Sequence, residues 1–338
     1  MDEKKSLKAD FFNKYLDYED VKETMNYFGL NFHYCLGKTF SQCVSKIEEI
    51  DDNEKLLISS FGNKMKIGKY KFDQLQIPKN YIYFILNKKK DIILACGKNH
   101  VGIYLIHSKL FYPKYFEMNL SHLALIENRY IILSFTQENY IEIQYWENFF
   151  QDNMNKVRHL VGHTDSVHYM CTVDDDHLLS GSNDSTIKYW KISALECVRT
   201  FVGHRGFVNS LMLLGNSKMF VSGSDDTTLK LWNLETGECL ITFIGHGNII
   251  DDIQETKNGE VVSMDRDGVL NFWNIKNGSL MLSLSNGKND SWSCFRILES
   301  GKLVTGSEGG VIQIWSNEQI IFDYLENYGS RKKVCNIL

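Results

Sequence analysis

Two segments decide the fold: Gly162-His163-Thr164-Asp165-Ser166-Val167, and Leu178-Leu179-Ser180-Gly181-Ser182-Asn183-Asp184-Ser185-Thr186-Ile187-Lys188-Tyr189-Trp190. The first is a turn leading into an alternating run. The second is a short apolar run, a polar turn and a second alternating run that ends on Trp. Alternation at period two marks strands, and Ser-Asn-Asp-Ser marks a tight turn between them. The pattern then returns. Gly203-His204 leads to Ser222-Gly223-Ser224-Asp225-Asp226 and Trp232, and Gly245-His246 leads to Ser263-Met264-Asp265-Arg266-Asp267 and Trp273. Trp falls at 146, 190, 232, 273 and 315, with gaps of 44, 42, 41 and 42 residues. A period of this length is an array of supersecondary units, each too small to bury its own faces.

These residues resemble the WD-repeat family, closely over 157–315. The resemblance implies an all-β propeller in which each repeat supplies four short strands and the blades close a ring. It further implies a buried hydrogen-bonded network in each clear repeat: His163, Ser180, Asp184 and Trp190; His204, Ser222, Asp226 and Trp232; His246, Ser263, Asp267 and Trp273. Ser, His and Asp together look catalytic, but here the structural reading is preferred. The pattern degrades on both sides. The 315 repeat has Gly287-Lys288 in place of Gly-His and Gly309 in place of Asp, while Thr305 matches the Ser. The 146 repeat keeps Trp146 and Ser134. Upstream, alternation alone extends the array through 81–106 and 43–70. This gives seven blades at about 40–76, 77–118, 119–161, 162–202, 203–243, 244–284 and 285–325. A six-bladed ring stays open.

The whole chain fits one large unit. Its 338 residues carry 43% hydrophobic and 23% charged residues, an ordinary globular composition. Net charge is −5, so no basic footprint points to nucleic acid. No apolar run reaches the roughly 18 residues of a membrane span, and Met1-Asp2-Glu3-Lys4-Lys5 lacks the core of a signal peptide. The eight Cys residues form no CxxC pair, so neither a zinc site nor a disulfide framework is expected. No nucleophile elbow, P-loop or metal-ligand spacing is present, so an enzyme and a cofactor are not expected.

Residues 1–40 read as a helical segment. Phe11, Phe12, Tyr15 and Leu16 have helical spacing, Asp17 caps a second helix carrying Val21, Met25 and Phe28, and Gly29 stops it. A third helix is expected from Asn31 to about Phe40. The run Phe11 to Val21 resembles the F-box, with Tyr15-Leu16-Asp17 and Asp20-Val21 in the matching places, but Ser6-Leu7-Lys8 replaces the usual Leu-Pro. That resemblance implies that Phe11, Phe12, Leu16, Val21 and Met25 bury against a Skp-type adaptor, which brings a cullin. The alternative is a helical cap on the propeller. A helix pairing of the kind seen in G-protein β subunits needs a longer heptad stretch.

Residues 326–338 read as a basic tail. Cys335-Asn336-Ile337-Leu338 fits the C-a-a-X prenylation signal, with Arg331, Lys332 and Lys333 beside it. The expectation is a prenyl anchor on Cys335 at the cytosolic face of a membrane. A strand over 333–338 is the other reading. Together these features describe a substrate-recruiting subunit of an SCF-type ubiquitin ligase in a eukaryotic cell, native or delivered there by a bacterium. A prenylated WD-repeat scaffold without a ligase link is the alternative. The substrate-facing residues expected from the turn positions are Arg205, Phe207, Arg266 and Trp292, although Trp292 aligns with Val167 and can instead be core.

Overall fold

The segment around Ser180 shows how one blade is made. In the strand His177–Ser182, Leu178, Leu179, Ser180, Gly181 and Ser182 are all buried. A strand inside a blade is covered by a neighbouring blade on each face, so its pattern is a run rather than an alternation. The strand Thr186–Lys191 buries Ile187 and Trp190 and leaves Lys188 and Tyr189 partly exposed. The turn between them closes with the Ser185 N–H donating to the Ser182 carbonyl at 3.2 Å, and Ser185 takes φ 65°.

The computed structural model describes residues 31–38 and 44–316, apart from 52–54, 61–63, 69–71, 75–80, 88–91, 107, 109, 127–128, 150–156, 216–217 and 287–289. These residues form seven four-stranded antiparallel sheets. Six are each built from four consecutive strands, and these blades span 44–74, 81–115, 120–161, 167–202, 208–243 and 250–284. The seventh is composite. It joins Trp292–Ile297, Leu303–Ser307 and Val311–Ser316 to the strand Asn31–Lys38. The innermost strands stand side by side around the ring, and Trp292–Ile297 packs against Val44–Asp51 to close it.

Two sequence expectations change here. The stretch from Asn31 to Phe40 was expected to be helical; Asn31–Lys38 is a strand, antiparallel to Val311–Ser316 with Phe32 opposite Trp315 and Cys35 opposite Gln313. Phe32, Tyr34 and Leu36 alternate at period two, and the open edge of Val311–Ser316 supplies the backbone partners. The β-propeller therefore begins before residue 41, and the outer strand of its last blade comes from residues 31–38 rather than from 317–325. Among the described residues the helical structure is a single 3-10 turn, Trp146–Asn148. Phe11, Phe12, Leu16, Val21, Met25 and Cys335 lie outside the described residues.

Blade contact sets the role of the Ser-Gly-Ser motif. A methyl group at Gly181 would stand 2.6 Å from Cγ1 of Val208 in the next blade. At Gly223 it would stand 2.5 Å from Cγ2 of Ile250, and at Gly306 2.7 Å from Cγ1 of Val44. At these three junctions the first residue of the inner strand presses on the backbone of the blade before it. Val44 repeats this across the closure, so the last junction is packed like the others. Each inner strand also carries a register shift at its second residue, at His168, Asn209 and Asp251 among others. A bulge at that place turns the side chain of the extra residue out of the sheet alternation.

Gly181→Ala and Gly223→Ala should each cost about 1–3 kcal/mol by overpacking. Gly247, with nothing within 4 Å of an added methyl, should accept Ala within about 0.5 kcal/mol. Urea denaturation of the three variants measures this; equal losses at all three would contradict the packing.

Candidate functional site

The loops that lead into the inner strands, and the turns between the two middle strands of each blade, meet at one end of the ring. In the blade 167–202, His163 reaches from the loop to the turn. Its Nδ1 is 2.8 Å from Asp184 Oδ2 and its Nε2 is 2.7 Å from Ser180 Oγ, which accepts the Trp190 Nε1–H at 2.8 Å. The chain of donors is consistent for a neutral imidazole: Nδ1–H donates to the carboxylate, the Ser180 hydroxyl donates to Nε2, and the indole donates to the hydroxyl oxygen. Asp184 also accepts from Thr186 N and Oγ1 and from Thr164 N. Burial raises the Asp184 pKa, but the bonds from His163, Thr186 and Thr164 more than offset it and hold the carboxyl well below its usual range. His204, Ser222, Asp226 and Trp232 repeat the arrangement.

This is a serine–histidine–aspartate constellation at hydrogen-bond distances, yet it has no chemistry to offer a substrate. Ser180 and Ser222 are fully buried, and each hydroxyl oxygen is already occupied by an indole N–H. The network staples loop to turn and fixes the shape of the face.

The third copy departs from expectation. His246 Nε2 is 2.7 Å from Ser263 Oγ and Trp273 Nε1 donates to the same oxygen at 2.8 Å, but the carboxylate is Asp265, 2.9 Å from His246 Nδ1. Asp267, expected in that role, instead accepts from Asn248 Nδ2 at 3.0 Å and is exposed. The reason is local. Asp184 and Asp226 are anchored by Thr186 and Thr228 two residues on, and Val269 has no hydroxyl to do the same. Asp265 takes over, accepting from the backbone N–H groups of Asp267 and Val269. In the last blade the acid comes from the other side: Asp290, in the loop, accepts from Ser307 Oγ and Gly309 N. Trp315 Nε1 donates to Thr305 Oγ1 at 3.0 Å.

Of the four residues expected on the substrate face, Arg205, Phe207 and Arg266 are exposed at this end. Trp292 is not; it is 2% exposed, packed edge-on against Trp315, with Nε1 donating to Gln313 Oε1 at 2.9 Å. It occupies the pressing position of Val167 and Val208 at the start of an inner strand, which is core. Sequence reasoning missed three neighbours, His168, Asp251 and Asp225. The bulge residue His168 stacks on Phe207 at 6.5 Å between ring centroids, and the bulge residue Asp251 accepts from Arg266 Nε at 3.3 Å. Asp225 accepts from Asn209 Nδ2, and Asp165 sits one blade back. Burial lowers the His168 pKa, with Arg266 adding to it against Asp225 and Asp165. Their shared place at the second residue of an inner strand, or in the turn beside it, is the signal that would have found them.

Further along the inner strands lies a second polar group. Glu48 pairs with Arg296 at 3.2 Å and with Lys46 at 3.4 Å. The His122 and Tyr169 rings lie 4.5 Å apart, tilted by 36°. Burial pushes Asp252 up to about 6, although Gln254, the Ile253 N–H, Lys46 and Arg296 pull it down. Gln254 bridges two blades, donating to the Phe295 carbonyl at 2.8 Å and accepting from Ile297 N at 2.9 Å. This group ties inner strands together across blade junctions. Among the described residues no cluster of metal-binding side chains is found.

Comparison with known proteins agrees with this geometry. Residues 154–191 and 195–233 match the family model "WD domain, G-beta repeat". The human "F-box and WD repeat domain containing protein 10B" is 36% identical over 159 residues, 46% of this chain and 20% of that protein. The human "F-box/WD repeat-containing protein 10" is 36% identical over 159 residues, 46% of this chain and 14% of that protein. The aligned part of this chain therefore spans about a fifth or less of those relatives. Among solved structures, the "WD40 beta propeller domain of Doa1" superposes with a TM-score of 0.71 at 21% identity, covering 86% of this chain and 98% of that one. The chain carries WD repeats and has the WD-repeat propeller fold.

Asp252 gives a test of the inner-strand geometry. Its folded pKa of about 6 lies above the ordinary carboxylate value of about 3.9, so ionisation costs the folded state more than the unfolded one. That cost is absent below about pH 4, grows between about pH 4 and 6, and is constant above. Asp252→Asn should therefore stabilise the protein by about 1–3 kcal/mol at pH 7, with the gain vanishing at pH 4. Denaturation across that range checks it; a loss of stability of equal size at both pH values would contradict it.

Proposed function

We propose that this protein recruits substrates to an SCF-type ubiquitin ligase. The propeller holds the substrate, residues 11–25 hold a Skp-type adaptor and through it a cullin, and the chemistry belongs to other subunits. The observation that carries the reading is the continuity of the two parts. The F-box-like run Phe11 to Val21, with Met25, lies just before Asn31–Lys38, the strand that completes the last blade. Five residues lie between Met25 and Asn31, and the six steps limit their separation to roughly 20 Å. An adaptor gripping this segment is held close against the ring. The printed names of the two human relatives, which join F-box and WD repeat, support the same reading. The buried serines support a binding role for the face rather than a catalytic one.

Co-purification with a Skp-type adaptor tests the ligase link. Replacing Phe12 and Leu16 with Asp would bury charge at the adaptor interface and cost several kcal/mol, about 2 or more per anchor. Adaptor recovery should fall at least about a hundredfold while the propeller's thermal unfolding stays unchanged. Equal recovery with both proteins would overturn the reading.

A further inference from the structure

Resting on the substrate-recruiting reading, we infer that the loop face takes a basic protein segment bearing an aromatic or apolar side chain, and not a phosphorylated or acidic one. The anchor is an aromatic pair open to solvent. Phe207 is 42% exposed, and the plane of its ring lies 13° from that of His168. Outward from it, the residue before each Gly-His pair is apolar and exposed: Val161 at 70%, Val202 at 73% and Ile244 at 77%. Three neighbouring blades thus carry the same uncovered apolar side chain at the same level. Soluble proteins do not commonly leave repeated apolar positions and an aromatic anchor together without a partner.

Charge selects the partner. Asp165 and Asp225 lie close enough to His168 to act on its charge, Asp251 lies near Asp225, and Asp267 is exposed on the turn beside Asn248, against Arg205 and Arg266. Arg266 is already turned onto Asp251, so its guanidinium is spent within the face. Burial, with Asp225 and Asp265 nearby, raises the Asp251 carboxyl above its usual range even with Arg266 beside it. His168 is held toward its neutral form, so it adds no positive charge near pH 7. A phosphate or carboxylate arriving here meets a crowd of like charges; a Lys or Arg relieves it. A cation arriving beside the exposed Phe207 also gains from its aromatic ring. With Arg266 and Asp251 paired, Asp165, Asp225 and Asp267 stand against Arg205 alone, and the face keeps an acidic excess.

The test uses the purified full chain and fluorescein-labelled 12-residue probes with a central Trp: one with Lys and Arg flanks, one with Ala flanks, and one with phosphoserine and Glu flanks. Anisotropy at about 0.15 M salt should rank the basic probe at least tenfold tighter than either other, with affinity falling as salt rises. Phe207→Ala, the pair Asp225→Asn with Asp251→Asn, and the surface reversal Asp267→Lys should each weaken it tenfold or more. Glu235→Gln, on an exposed turn outside the site, should leave it unchanged. Thermal melts identify any variant that has lost its fold, and Asp267→Lys keeps the test open if the double variant does. Tighter binding of the phosphorylated probe, lost with Arg205→Ala and Arg266→Ala, would overturn the basic-segment inference while leaving a recruiting face in place. Binding of no probe, or equal loss with Glu235→Gln, would also overturn it. Failure of adaptor capture by residues 11–25 is a separate result and strikes the ligase reading alone.

Discussion

Close approach of inner strands to the backbone of the preceding blade is the constraint on which the molecule depends. Val208 against Gly181, Ile250 against Gly223 and Val44 against Gly306 leave no space for a side chain at the glycine. A four-stranded sheet with two apolar faces cannot persist alone, and a ring of such sheets buries every face but needs its last junction to match the rest. Val44 meets that condition at the closure. The outer edge of the last blade is then capped by Asn31–Lys38, a strand about 280 residues away in sequence from its partner.

The polar network comes second in this hierarchy and shapes the face. Its fixed members are the Trp donor and the hydroxyl it meets, Ser180, Ser222, Ser263 or Thr305. The acid is movable. It stands on the turn at Asp184 and Asp226, two residues earlier at Asp265, and across the gap on the loop at Asp290. In these four blades a carboxylate stands between loop and turn, supplied by whichever residue reaches that point. Fixed loops and bulged inner strands together aim His168, Asn209 and Asp251 at the ring's mouth, beside Phe207 and Arg266.

Much of this was legible in the sequence, and the limits have physical causes. The blades between 162 and 284 announce themselves because Gly-His, the tight turn and Trp recur at fixed spacing. The site residues Arg205, Phe207 and Arg266 follow from the turn positions. Asp265 was hidden because position 267 also holds Asp, and only the absence of a hydroxyl at Val269 distinguishes the two. Trp292 was open to two readings, a face residue by its loop or core by its alignment with Val167, and its place at the head of an inner strand makes it core. Asn31–Lys38 was read as helix because its partner is remote; an eight-residue run with Phe32, Tyr34 and Leu36 acquires its strand identity from the edge it covers. His168 and Asp251 carry no motif, and their place in the site depends on a bulge that only the pairing register reveals.

Completion of the last blade by the segment that follows the F-box-like residues joins the fold to the proposed function, so it is the claim to test most directly. Asn31 lies opposite Ser316 in the antiparallel pair. Cysteines placed at 31 and 316 of the full chain should form a disulfide under mild oxidation, identified by peptide mass mapping, and the bond should raise the unfolding temperature. If both thiols instead remain reactive at solvent rates in the folded protein, or 316 couples to another segment, the account of the composite last blade is wrong.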